Sequence, residues 1–492
     1  VGVAGGGPAL DRRPHTGDDM VSGAALVPLS LLAKLAHADR VGQRDISAQN
    51  TEKIVLLLRT AIAGALSMLV FLVMLERSSA RRPSGAARTL LAGTAALLVS
   101  ATLWPLLEVP FFLSIFCSAA TCLVMSFLLT AFPLSFALGE AAVVSQLVIA
   151  LFTDYLLIVL CKTDIWSPSA EALRFACDEP LAHETVAMLW AALATLMTLA
   201  AALPLLFALH AQQRVTPYTY VMAAAFYAFV VVSMGLVSWA LVQAWLPNHP
   251  LLWFLVYLVS SQRHIKIAGL WIVCLAVALP AILWCSTRLG PRHQLLLRKL
   301  FHLLVVVMFV PAILLEERFT AVSFSVAMSL FLFCEAVRYA RIPPLAPILQ
   351  AFMEPFVDSR DTGPLVLTHI YLLLGCGLPL WAAPLTSPVH ALAGVLALGV
   401  GDAAASLAGF YFGTMRWPGS RKTYLGTSAA ALGLTLAHGI LWLCVPALAE
   451  HTSLRAIVLA AVFAALYEAH TPLVDNLVLP LFLEAALLVF LM

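Results

Sequence analysis

Charge is scarce in this 492-residue sequence: Lys, Arg, Asp and Glu together make up 11%, against 62% hydrophobic residues. Soluble domains carry about 25% charged residues, so a length that would hold two or three of them is not packed that way. Net charge is equally slight, 28 basic against 26 acidic residues for +2. That removes the broad basic field which nucleic-acid binding requires, and no nucleic-acid partner is expected. The nine cysteines include neither a CxxC pair nor a metal-ligand spacing. Cys117, Cys122, Cys274, Cys285, Cys334, Cys376 and Cys444 fall inside apolar runs and read as buried thiols. Cys161 and Cys177 flank a polar segment, where a disulfide would require an oxidising lumen. No period of roughly 20–50 residues recurs, which excludes a solenoid. The start lacks a basic segment, short apolar core and small-residue cleavage site, so no cleavable leader is expected.

What the sequence has in abundance is apolar runs. A bilayer crossing takes about 20 apolar residues, and such runs begin near Ile54, Thr89, Pro110, Leu134, Thr185, Pro217, Leu251, Ile267, Leu300, Ala321, Pro364, Val389, Thr427, Leu454 and Leu477. The expected fold is all-α, a polytopic transmembrane bundle of about 13–17 helices. Residues 1–50, Gly-rich and without sustained periodicity, read as a mobile non-membrane tail. Residues 51–287 form a first set of transmembrane helices with few polar insertions beyond Glu140 and Asp154. Over 288–492 polar residues crowd helix ends and loops, so the catalytic domain is expected there.

Following the chain from Lys299, alternate crossings put Arg338, Arg341, the segment through Asp358, Arg360 and Asp361, the end of the Val389 run, loop 410–425 and Asp475 on one face. Glu316, Glu317 and Arg318 fall on the other. Most Lys and Arg of this half share the first face, which the positive-inside bias makes cytoplasmic. Arg263 and Lys266 do not fit that bias.

Within this half, Ala397, Gly401, Ala405 and Gly409 form a small-residue ridge for close helix approach. Asp402 and Ser406 form the adjacent i,i+4 stripe, and a carboxylate at a membrane-embedded helix end is a functional candidate. The alternative is an Asp paired with an Arg for packing. The following loop joins Gly413, Gly419 and Gly426 to Arg416, Arg421, Lys422 and Thr423. Glycine backbone and clustered cations suit a polyphosphate, but a basic loop touching anionic lipid has the same composition. The spacing is not that of a Walker A loop. Arg298, Lys299 and His302 open a helix, with Arg298 and His302 expected on one face; Asp361 precedes Gly363-Pro364; Glu468 and Asp475-Asn476 precede the last run. Mg²⁺ binds through one or two carboxylates plus substrate phosphates. Phosphoryl transfer needs that metal, cationic support and a positioned acceptor hydroxyl. These residues therefore read as a nucleotide-dependent enzyme acting on a lipid alcohol held in the membrane.

The stretches Arg298-Lys-Leu-Phe-His302, Asp358 to Cys376, Gly401-Asp402-Ala-Ala-Ala-Ser406, Arg416-Trp-Pro-Gly-Ser-Arg-Lys-Thr423 and Asp475 to Pro480 resemble the dolichol kinase family, within the wider group of CTP-dependent polyprenol, phytol and diacylglycerol kinases. The run Thr368-His369-Ile-Tyr371 onward is similar to the dolichol branch. The resemblance implies transfer of the CTP γ-phosphate to dolichol, giving dolichyl phosphate for protein glycosylation, by a multi-pass protein of the endoplasmic reticulum membrane whose active site faces the cytoplasm. It further implies that loop 410–425 binds CTP. Expected nucleotide-binding residues are Gly401, Ser406, Gly409, Gly413, Arg416, Trp417, Pro418, Gly419, Ser420, Arg421, Lys422, Thr423 and Gly426. Expected catalytic residues are Asp402, Lys422, Asp361, His302 and Arg298, with Asp402 and Asp475 on Mg²⁺ or another divalent cation. Trp417 would stack on cytosine or brace the loop. Two departures stand out: Leu425 replaces the family's usual Glu, and Arg421 its usual Lys. Phytol or diacylglycerol kinase activity, cytidylyl transfer, and a transporter with Asp402, Glu140 and Asp154 along its path are the other readings.

Overall fold

The computed structural model describes residues 20–40, 48–77, 85–107, 111–162, 183–212, 215–242, 246–288, 294–354, 357, 361–382 and 388–490. Every regular element among them is helical, and ten helices are long and apolar enough to cross a membrane. The protein is an all-α, polytopic membrane protein. Some expected crossings are shorter helices. Pro250–Val259 has 10 residues, about 15 Å of rise, which is half a hydrocarbon core. The chain divides into two compact units: 1–179 with 361–364 and 470–492, and 180–360 with 365–469. The sequence-expected boundary at 287/288 therefore falls inside the second unit.

The first unit contains α1 (Met20–Arg40), α2 (Ala48–Arg77), α3 (Gly85–Leu107), α4 (Phe111–Ala131), α5 (Leu138–Lys162) and the last helix, Asp475–Phe490. Within the segment 1–50 expected as a mobile tail, the described residues Met20–Arg40 form α1, which packs on α2, α5 and the last helix. Its apolar stretch, Ser22–Lys34, is shorter than a crossing and carries a lysine, so hydropathy alone underrates it. Lys34 is buried with its Nζ 2.9 Å from Oε1 of Glu484, and Gln146 donates to the Ala24 carbonyl at 2.9 Å. Between α4 and α5, the turn at Leu134 (φ 64°) receives the 361–364 segment: Thr362 Oγ1 donates to the Leu134 carbonyl at 3.3 Å. The seven cysteines of the apolar runs are free thiols. Cys177 and the Cys161 side chain lie outside the described residues, and the disulfide considered for them with it.

The second unit runs through α6 (His183–His210), α7 (Pro217–Val242), α8 (Pro250–Val259), α9 (Gln262–Arg288), α10 (Gln294–Leu315), α11 (Glu317–Tyr339), α12 (Leu345–Met353), α13 (Thr368–Ala382) and α14 (Pro388–Leu396). A π-helical turn, Ala397–Asp402, joins α14 to α15 (Ala403–Phe412); α16 (Tyr424–Cys444), α17 (Pro446–His451) and α18 (Leu454–His470) follow. One end of the unit is closed by aromatic rings: His264 lies 4.7 Å from Tyr257 and stacks on Phe319 at 4.3 Å, which stacks on Trp271 at 5.7 Å. Beside them Arg263 donates to Glu316 at 3.2 Å. That pair puts the α8–α9 and α10–α11 connections at the same end, as the crossing count requires, and offsets the Arg263 charge that had not fitted.

Candidate functional site

The sequence around Asp402 explains how a carboxylate comes to lie inside a membrane helix. Val389–Phe412 forms one 24-residue candidate span, and Asp402 closes its π-helical turn ten residues before Phe412. It is deeper than the helix end expected from the sequence. Gly399 in that turn lets α10 touch backbone: a Cβ there would lie 2.2 Å from Val306 Cγ2 and 3.0 Å from the His302 carbonyl. The resulting contact sets two α10 side chains against the carboxylate. Lys299 Nζ is 2.6 Å and His302 Nε2 3.0 Å from Asp402 Oδ2, while Ser406 Oγ donates to Oδ1 at 3.2 Å. All but Ser406 are buried.

The facing pair on α10 is Lys299 with His302, three residues apart, rather than the expected Arg298 with His302. His302 Nδ1 donates to the Arg298 carbonyl at 3.0 Å, so its Nε2 carries a proton toward Asp402 only when the ring is charged. On the other side of α15, Gly409 and Gly426 allow α16 to approach: a Cβ on Gly426 would meet the Ala405 carbonyl at 2.8 Å. Gly401 packs on Leu434. Gly401, Ala405 and Gly409 of the small-residue ridge therefore meet α16.

The loop after α15 is a short antiparallel hairpin. Arg416 and Thr423 form an isolated bridge, Trp417 N–H donates to the Lys422 carbonyl at 3.1 Å and Tyr424 N–H to the Met415 carbonyl at 3.1 Å. Pro418 and Gly419 fill its turn; Gly419 has φ 72°, the position where a type II turn demands glycine. Ser420 N–H donates to the Trp417 carbonyl and Ser420 Oγ to the Ala469 carbonyl at 2.7 Å. Thr423 caps α16, its hydroxyl accepting from Gly426 N–H at 3.0 Å. Trp417 donates to Thr427 Oγ1 at 2.9 Å, and its ring lies 4.1 Å from that of Tyr424. Both contacts tie the Trp417 side chain to the first turn of α16. Arg416 and Arg421 are exposed, and Gly413 lies at the hairpin's base with Thr423 within van der Waals reach.

Lys422 points inward. Its Nζ lies 2.7 Å from Glu468 Oε1 on α18, and the Glu468 and Asp402 carboxylates approach within 4.8 Å. Two buried carboxylates at that separation, each already meeting an ammonium, are oxygen donors of the kind a hard divalent cation takes. Lys299 and Glu468 are the residues sequence reasoning passed over as site members. Lys299 stands three positions from His302, and Glu468 opens the polar cluster before the last helix; those spacings were the available signals. Asp361 and Asp475 are residues of the first unit: Asp361 begins the segment seated on the Leu134 turn, and Asp475 opens the last helix. Asp358 and Arg360 lie outside the described residues.

Comparison with known proteins places this arrangement in context. Residues 190–386 match the family model described as dolichol kinase. The dolichol kinase of Homo sapiens is 36% identical over 252 residues, covering 48% of this chain and 47% of that protein. Dolichol kinase EVAN of Arabidopsis thaliana is 33% identical over 243 residues, covering 48% and 42%. The dolichol kinase of Saccharomyces cerevisiae is 29% identical over 238 residues, covering 48% and 44%. The chain thus spans about half the length of the curated relatives it matches. No solved structure matches. The likeness to dolichol kinases drawn from the sequence motifs is shown by these matches.

Proposed function

We propose, from that likeness, that the chain is a lipid-alcohol kinase that moves the γ-phosphate of CTP to the hydroxyl of dolichol, at the cytoplasmic face of the endoplasmic reticulum membrane. The observation that carries this reading is the buried set Lys299, His302, Asp402 and Glu468 beneath a cation-bearing hairpin whose half-buried Lys422 reaches Glu468. A soluble nucleotide reaches the hairpin from water, while a polyprenol needs its hydroxyl received among apolar helices. Asp402, inside a span, is suited to orient that hydroxyl. Exposed Arg416 and Arg421 and half-buried Lys422 offset phosphate charge. The Trp417 brace and the Pro418-Gly419 turn hold the hairpin, so these cations are presented from a fixed backbone.

Asp402 and Glu468 would hold Mg²⁺ or another divalent cation, which supplies charge neutralisation of the triphosphate when bound. Lys422, half-buried on the hairpin, is placed to turn from Glu468 to phosphate on nucleotide entry, while Lys299 stays on Asp402. With Leu425 where the family usually has Glu, Glu468 is the carboxylate paired with Lys422 and takes that place. The assignments of Arg298, Asp361 and Asp475 rest on the motif resemblance alone. The cytoplasmic placement is supported by the excess of Lys and Arg at the end of the second unit that carries the hairpin.

The test is transfer of radiolabel from the γ-position of CTP into solvent-extractable lipid, with dolichol, phytol and diacylglycerol as acceptors and each nucleotide in turn. Label in dolichyl phosphate with CTP is the expected result. Labelled cytidine in the lipid would make the chain a cytidylyltransferase, and lipid without label from any donor would end the kinase reading.

A further inference from the structure

Helix α12 lies between α11, a candidate membrane span, and the apolar α13. The way α11 ends fixes where α12 starts. Ile342 N–H donates to the Val337 carbonyl at 3.0 Å and Arg341 N–H to the Arg338 carbonyl at 3.1 Å, with Arg341 left-handed at φ 56°. This is the Schellman arrangement, which satisfies the last carbonyls and turns the chain sharply. Ile342 and Pro343 are buried in that turn, and α12 begins at Leu345.

One side of the nine-residue α12 is occupied by protein. Ala346 is 5% exposed, and Gln350 Oε1 accepts from Arg338 Nη1 at 3.2 Å. At 3.6 residues per turn, the stripe Leu345, Ile348 and Phe352 falls roughly 150° around the helix from that packed side. These three are 41%, 65% and 38% exposed. An i, i+3, i+7 set of large apolar side chains turned away from the protein is the reverse of a helix packing onto a core. Exposed Arg341 stands just before the helix and exposed Glu354 just after it, so charges bracket its ends and leave its outer face apolar.

We infer that α12 lies in the plane of the bilayer's headgroup layer, with Leu345, Ile348 and Phe352 inserted into the acyl boundary and Arg341 and Glu354 at headgroup level. Three features name lipid as the occupant. The helix leaves directly from the end of a span, so it begins at the membrane boundary. Nine residues are too short to cross, and the span α11 from which the helix leaves itself carries an outward apolar side chain, Leu330, 56% exposed. A short helix with one apolar face and charged flanks rests at an interface rather than spanning it. The inference does not depend on the kinase reading.

The test uses the full chain in phosphatidylcholine vesicles, its other accessible cysteines replaced by serine, with a bimane dye attached through Ile348→Cys, Phe352→Cys or, as a water-facing reference, Arg341→Cys. Lipid brominated near the glycerol end of its acyl chains should quench the dye at 348 and 352 at least about fivefold more than at 341, and aqueous iodide should show the opposite order. Equal iodide quenching at all three positions would overturn the inference. So would protection of 348 and 352 from both quenchers, because a protein surface, including a second copy of this chain, would then cover the stripe. The two stripe positions are independent, so misfolding of one variant leaves the other to decide.

Discussion

The floor of the site and its hairpin are built on opposite principles. Lys299, His302 and Asp402 are buried side chains locked to one another on two helices, whereas Arg416 and Arg421 stand exposed on a hairpin held by backbone bonds, one proline turn and one tryptophan. A buried charge has nowhere to turn if its partner is removed, so the floor couples chemistry to folding. An exposed guanidinium keeps its hydration either way, so the hairpin can vary its cations with little cost to the fold. Arg421 falls in the tolerant part, whereas Leu425 stands in the first turn of α16.

This contrast can be broken at several points. The largest effect is expected from Asp402→Asn, which keeps the shape but removes the charge: phosphate transfer should fall roughly 10²-fold or more, with folded protein still recovered from membranes. Near-normal turnover would take Asp402 out of the reaction. Lys299→Met should be next, leaving a buried carboxylate with His302 and Ser406; a loss of about 3–5 kcal/mol is typical of such a cut, read as a lower midpoint in thermal unfolding of the detergent-solubilised chain. In the hairpin, Lys422→Ala should raise the KM for CTP by about tenfold, one lost charge-assisted contact, with a smaller change in kcat. Combining it with Glu468→Gln should recover part of any lost stability, since the carboxylate would no longer be buried unpaired. If Lys422→Ala lowered the unfolding midpoint as far as Lys299→Met, the distinction between floor and hairpin would collapse. The smallest effect belongs to Trp417→Phe, which keeps the ring against Tyr424 and loses the bond to Thr427, about 1 kcal/mol. A large rise in KM for CTP alone would instead restore the cytosine-stacking role.

Much of this arrangement was legible in the sequence because its signals are local. The Asp402-Ser406 stripe and the small-residue ridge follow from spacing within one helix, and the glycine-and-cation loop from composition within one loop. What was not legible depended on pairing between distant elements. Whether Arg298 or Lys299 faces Asp402 is decided by the rotation of α10, which the close approach at Gly399 sets. Glu468 acquires its meaning from Lys422, 46 positions earlier. In the first unit, Lys34 of α1 and Glu484 of the last helix, 450 positions apart, are a buried ion pair that neither run discloses by itself. Isolated charges in apolar runs were each read by themselves, although in a membrane protein they come in complementary sets.

The wide turn at Ala397–Asp402 makes the place of a length change as consequential as composition. A π-helical turn accommodates one residue more than the α-helix it interrupts, so its span sweeps about the same rotation as one residue fewer of regular helix. Deleting one residue from 397–401 would let the helix close regularly and leave the later side chains in nearly the same rotation relative to α14. One residue lost from α14 itself would instead swing the carboxylate by about 100°, away from Lys299 and His302, without any change in its own identity. Homologous chains that keep the aspartate should therefore be judged by where their spacing differs before they are credited with the same floor.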